Sequence, residues 1–152
     1  MIASACDEAL MGQALRALKG SGPQDVPVGA VVVSDHGELL GQAGNRRVAD
    51  NDPTAHAEVL AIRQAAQQLG NWRLDGCTIV VTLEPCPMCA GAIVNARLAR
   101  LVLGAWNPDY GACGSAWEIP RDHRLAHRVE VVGGVLAEQC GVRVQEFLAA
   151  RR

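Results

Sequence analysis

The first regular pattern in the chain is helical. Leu10, Ala14, Leu15 and Leu18 recur at three- and four-residue spacing, which predicts an amphipathic helix with one buried face. Ser4, followed three residues later by Asp7, reads as a capping pair at its start. Gly20 and Gly22-Pro23 stop it near Lys19. Residues 28–33 are a β-branched run, the mark of a buried strand. Asp35-His36-Gly37 turns the chain, and residues 38–44 pair back as a weaker strand. Asp52-Pro53 predicts a second helix start, with Asp as cap and Pro pre-set for the first turn. That helix carries His56 and Glu58 in its opening turns and runs to about Leu69. A third strand follows over 77–83. Pro85-Cys86-Pro87 then opens a helix that carries Cys89 and reaches about Arg97. Strands are predicted at 101–104 and 129–132, with an irregular, Gly-rich stretch between them that holds Trp106 and Trp117. A last helix spans about 135–150.

The order α-β-β-α-β-α-β-β-α mixes an antiparallel hairpin with crossover helices. It predicts an α/β fold, a three-layer α/β/α arrangement around a five-stranded mixed sheet. No repeat, low-complexity tract or linker divides the 152 residues, so one domain over 1–152 is expected.

Composition narrows the function classes. Hydrophobic residues are 49% and charged residues 20%, ordinary for a globular protein. No apolar run approaches the roughly 18 residues a membrane helix needs. Asp7 and Glu8 stand where an export signal would carry basic residues, so a cytoplasmic protein is expected. The net charge of −2 is divided, −4 over residues 1–96 and +2 over 97–152, which a solvated face explains as well as a phosphate contact does. Six cysteines in a chain without an export signal point to reduced thiols and metal chemistry.

The chemistry concentrates in two segments. Cys86 and Cys89 are three apart, so they share a face at a helix N-terminus, where the dipole favours thiolate. Two thiolates are half of a tetrahedral zinc site, yet no second C-x-x-C exists to complete a structural one. His56, also at a helix start, is the best third ligand. Three protein ligands leave the fourth position open, which is the catalytic arrangement. Glu58, two residues beyond His56, is placed to move protons. Singly, each residue has a plainer reading: a redox or structural C-x-x-C, a surface histidine, an exposed helix glutamate. Together, H-x-E with a downstream P-C-x-x-C is the pattern of zinc deaminases that act on nucleobases.

DPTAHAE at 52–58 and VTLEPCPMCAGAIV at 81–94 resemble the cytidine-deaminase superfamily. VPVGAVVV at 26–33, Asn45, the 111–115 segment and HRVEVVGGVLAEQC at 127–140 narrow the resemblance to its bacterial tRNA-specific adenosine deaminases, over nearly the whole chain. The resemblance implies hydrolysis of adenosine to inosine at the wobble position of a tRNA anticodon, with one Zn2+ held by His56, Cys86 and Cys89 and with Glu58 as proton shuttle. It implies a homodimer and an RNA partner, and it assigns Asn45 to the target nucleotide. Val28, Trp106 and Asn107 join Asn45 as candidate substrate contacts. Trp106 either stacks on a base or covers the edge of the core, and Cys113 reads as a small buried thiol. The chain departs from the family pattern around Trp106 and Asn107 and at its C-terminus, where Phe147-Leu148 precedes only Arg151-Arg152. The alternatives are a guanine or other free-base deaminase of the same fold, and a non-catalytic zinc-stabilised RNA-binding subunit.

Overall fold

The computed structural model describes residues 3–152. Its elements run α1 (Ala5–Ala17), a short 3-10 turn (Leu18–Gly20), β1 (Gly29–Val33), β2 (Leu39–Gly44), α2 (Ala57–Leu69), β3 (Thr78–Leu83), α3 (Pro87–Asn95), β4 (Arg100–Ala105), β5 (Glu130–Val132) and α4 (Ala137–Ala149). The sheet order is β2-β1-β3-β4-β5. β1 pairs antiparallel with both β2 and β3, and β3, β4 and β5 are parallel, so the expected five-stranded mixed sheet is present.

Strand registry sorts the side chains into two layers. Val32, Ile79, Leu101 and Val131 lie in one row across the sheet, and Val31, Val80, Val102 and Val132 in the next. The first row faces Ala57, Ala61 and Ala65 of α2 and Ala90, Ile93 and Val94 of α3. The second row faces Met11 and Ala14 of α1 and Cys140 of α4. Strands covered on both faces read as unbroken apolar runs, which is why 29–33 and 78–83 show no alternation. Each fully buried Val, Ile or Leu contributes roughly 1.5–3 kcal/mol relative to exposure.

Helix α1 begins with the expected capping box between Ser4 and Asp7. Asp7 is itself buried, and its carboxylate takes both terminal nitrogens of Arg100 at the start of β4. Arg100 also reaches Glu130 of β5 at 3.5 Å. One buried carboxylate thus closes the helix cap and fixes α1 to the far strands. Among the described residues no helix is long and apolar enough to cross a membrane.

The two functional helices start later than the sequence suggests. Asp52 does not cap α2: its Oδ1 accepts from the backbone N–H and hydroxyl of Thr54, closing a turn on itself. Residues 52–56 stay irregular, and His56 becomes the N-cap, in extended conformation. In the same way α3 opens at Pro87, with Cys86 as an extended N-cap. It ends at Asn95, two residues before Arg97, which takes a positive φ of 62°. α4 also starts two residues beyond the expected 135, because Val135 returns its N–H to Leu103.

Candidate active site

The N-termini of α2 and α3 meet. Their N-cap residues, His56 and Cys86, come from segments thirty residues apart, and Cys89 lies one turn into α3. His56 Nδ1 stands 3.6 Å from Cys86 Sγ and 3.4 Å from Cys89 Sγ. These spacings fit a metal. Zinc bonds of about 2.05 Å to nitrogen and 2.3 Å to sulfur, opened to the tetrahedral angle, put such ligands roughly 3.5 Å apart. Among the described residues this is the one His/Cys/Asp/Glu cluster of three or more that is close enough to hold an ion.

The donor set is electrostatically prepared. Contact with the Cys89 thiol, and next with His56, draws the Cys86 thiol down to about 4, well inside the thiolate range. The proton stays on Cys89, pushed upward by its bond to Cys86 and by burial. His56 is raised by its contact with Cys86. A thiolate beside a thiol that has lost its water is a soft, two-sulfur, one-nitrogen set, and a divalent cation there takes the place of the shared proton.

Glu58 lies beside this cluster but outside it. It sits in the first turn of α2 and is only 4% exposed. Burial raises its carboxyl to about 7, against partial support from its own backbone N–H. A carboxyl balanced near neutrality can take a proton and return it.

The cluster forms the floor of a cleft of about 650 Å³. The candidate ligand, proton-transfer and substrate residues line it: His56, Glu58, Cys86, Asn45, Val28, Trp106 and Asn107, with Cys89 buried beside them. Asn45 Nδ2 donates to the Val26 carbonyl at 3.1 Å, which fixes the amide's orientation at the cleft wall. Asn107 accepts the Tyr110 N–H on its Oδ1 at 3.2 Å, so its side chain is partly spent on its own loop. Trp106 covers the edge of the core and also lines the cleft. Its ring lies against the backbone of Gly133, where a Cβ would sit 2.2 Å from Cζ2, and the rest of the ring is exposed at the cleft. Cys113 is buried away from the metal cluster, its thiol raised by desolvation.

Several lining groups had no sequence signal. Gly141, Val144, Gln145 and Leu148 of α4 supply one wall, and only packing decides which face of that helix meets the cleft. Arg47 stands at one lip, outside every ion pair formed among the described residues. Two buried carboxylates brace the rims. Asp25 accepts the N–H groups of Val48 and Ala49 at 2.7 and 3.1 Å. Glu84, 2% exposed, accepts from Asn107, Cys113 and Ser115. A charge directly after the apolar end of β3 was the available hint for Glu84.

Residues 4–105 match the family described as the cytidine and deoxycytidylate deaminase zinc-binding region. The chain is 43% identical to the tRNA-specific adenosine deaminase of Haemophilus influenzae, covering 99% of this chain and 88% of that one. It superposes with a TM-score of 0.83 and 40% identity on a structure from a study of A-to-I editing by tRNA:A34 deaminases at the wobble position of transfer RNA. That match covers 89% of this chain and 98% of the other. It is also similar to a guanine deaminase from Nitrosomonas europaea, with a TM-score of 0.77 and 30% identity over 98% of this chain and 87% of that one.

Proposed function

The chain belongs to the cytidine and deoxycytidylate deaminase family, and on that premise we propose that it is a zinc-dependent enzyme converting adenosine to inosine at the wobble position of a tRNA anticodon. The observation that carries the chemistry is the three-ligand cluster with a buried glutamate beside it. The substrate follows the relatives: identity is higher to the tRNA-specific enzyme than to the guanine deaminase, over almost the full chain.

His56, Cys86 and Cys89 hold the zinc. When bound, zinc supplies a Lewis acid that lowers the pKa of water from about 15.7 to near 7. Glu58 takes the proton that water loses as its oxygen bonds to C6 of adenine, and delivers it to N1. It carries the second proton to the exocyclic amine, the C6–N bond breaks, and ammonia leaves inosine behind. Asn45, its amide steered by the Val26 carbonyl, contacts the target nucleotide. Val28 borders the base, and Trp106 and Asn107 border the neighbouring nucleotide. The enzyme acts in the cytoplasm as a homodimer, so sedimentation is expected to give twice the chain mass.

The deciding assay is inosine formation on an anticodon stem-loop against ammonia release from guanine. Inosine on the hairpin is expected. Turnover of guanine alone would assign the chain to the free-base deaminases, and binding of the hairpin without turnover would make it an RNA-binding subunit.

A further inference from the structure

Glu84 lies between β3 and Cys86 and is not a member of the metal cluster. Its carboxylate is buried and saturated. The backbone N–H groups of Asn107, Cys113 and Ser115 donate to it at 2.8, 3.1 and 3.0 Å, and the Ser115 hydroxyl donates as well. All four donors come from one segment, the loop that follows β4. Gly111 of the same loop presses on the carboxylate, for a Cβ there would lie 2.1 Å from Oε2. The next carbonyl along the chain, that of Pro85, takes the Ala112 N–H at 2.8 Å. The two residues immediately before Cys86 therefore grip this loop along most of its length. At its N-terminal end the loop carries Trp106, Asn107 and Tyr110 into the cleft.

Packing alone does not call for a charge here. An apolar side chain of the same size would fill the space, and a buried carboxylate is tolerated only when its oxygens are fully bonded. What calls for it is the loop. Three N–H groups without a sheet or helix partner converge on one point, and an anion with several lone pairs satisfies them together.

We propose that Glu84 is the positioning residue of the substrate-facing wall. Through it, the segment that places Cys86 also sets where Trp106 and Asn107 stand relative to the metal cluster, and so how the nucleotide beside the target is received. This rests on the deaminase reading above.

The test uses the full chain in a Trp72→Phe, Trp117→Phe background, which leaves Trp106 as the only tryptophan. Glu84→Gln and Ser115→Ala are assayed well below their melting points for zinc content, for kcat and KM on the anticodon hairpin, and for acrylamide quenching of Trp106. Glu84→Gln is expected to keep one zinc per chain, to raise KM about tenfold with kcat within about threefold, and to make Trp106 more easily quenched. Ser115→Ala is expected to shift KM and quenching the same way by about two- to fivefold. A lower melting point with unchanged KM and unchanged quenching would leave Glu84 a purely structural residue and overturn the proposal. So would loss of zinc together with kcat at constant KM. If Glu84→Gln does not fold, Ser115→Ala decides alone. If the parent chain leaves the hairpin untouched, the functional reading fails, while Trp106 quenching still tests the loop.

Discussion

Two glutamates lie buried against the same cleft, and they are built in opposite ways. Glu84 has more donors than oxygens, supplied by a loop more than twenty residues away. Glu58 has its own backbone N–H and the Cys89 thiol, and burial lifts its carboxyl to about 7. A carboxylate held by several hydrogen bonds is fixed in charge and place. One with few donors in a dry site is poised to change charge. The same side chain at similar burial serves as an anchor in one place and as a proton carrier in the other, and the number of donors facing it makes the difference.

That contrast can be broken in steps. The largest effect belongs to the metal, on which Glu58's role depends. Cys86→Ala is expected to lose both zinc and activity, measured by metal analysis; one zinc retained per chain would show the ligand set to be wrong. Next comes the carrier. Glu58→Ala is expected to retain zinc while turnover falls at least about 10²–10⁴-fold, and near-normal turnover would remove Glu58 from the chemistry. The third step compares stabilities in urea. Glu84→Gln sets an amide N–H against backbone N–H donors and is expected to lose about 1–3 kcal/mol. Glu58→Gln, with few bonds to break, is expected to lose clearly less than Glu84→Gln. Equal losses would erase the distinction between anchor and carrier.

A third buried carboxylate extends the comparison at the lowest amplitude. The Arg100 guanidinium holds Asp7 down to about 2, from an ordinary 3.8. Because the folded value lies below the unfolded one, the stabilisation is complete above pH about 4 and is lost as pH falls through about 2. Asp7→Asn should therefore cost about 2 kcal/mol at neutral pH, only a small part of that near pH 2, and almost nothing below it. A pH-independent cost would mean that the cap, and not the ion pair, supplies the stability.

The metal site was legible because its signals are short-range. H-x-E, P-C-x-x-C and the two helix starts are local, and even the one-turn error at Asp52 left His56 at the beginning of α2. Glu84 shows the opposite case. Its donors lie 23 to 31 positions along the chain in a loop without periodicity, so nothing in the local pattern marks that they converge. Trp106 falls between these cases. Its ring sits on Gly133 while the residue stays 46% exposed, and only the packing of the segment after β5 provides that seat.

The layers and the residue types of the donor set are written in the local sequence, since unbroken β-branched runs demand cover on both faces and the Cys86–Cys89 spacing is fixed within one helical turn. Tertiary structure decided where things meet: that the N-termini of α2 and α3 share a point, that α4 walls the cleft, and that one buried carboxylate ties the 107–115 loop to the segment bearing Cys86. Those are contacts between distant segments, fixed by sheet order and packing, and no local periodicity encodes them.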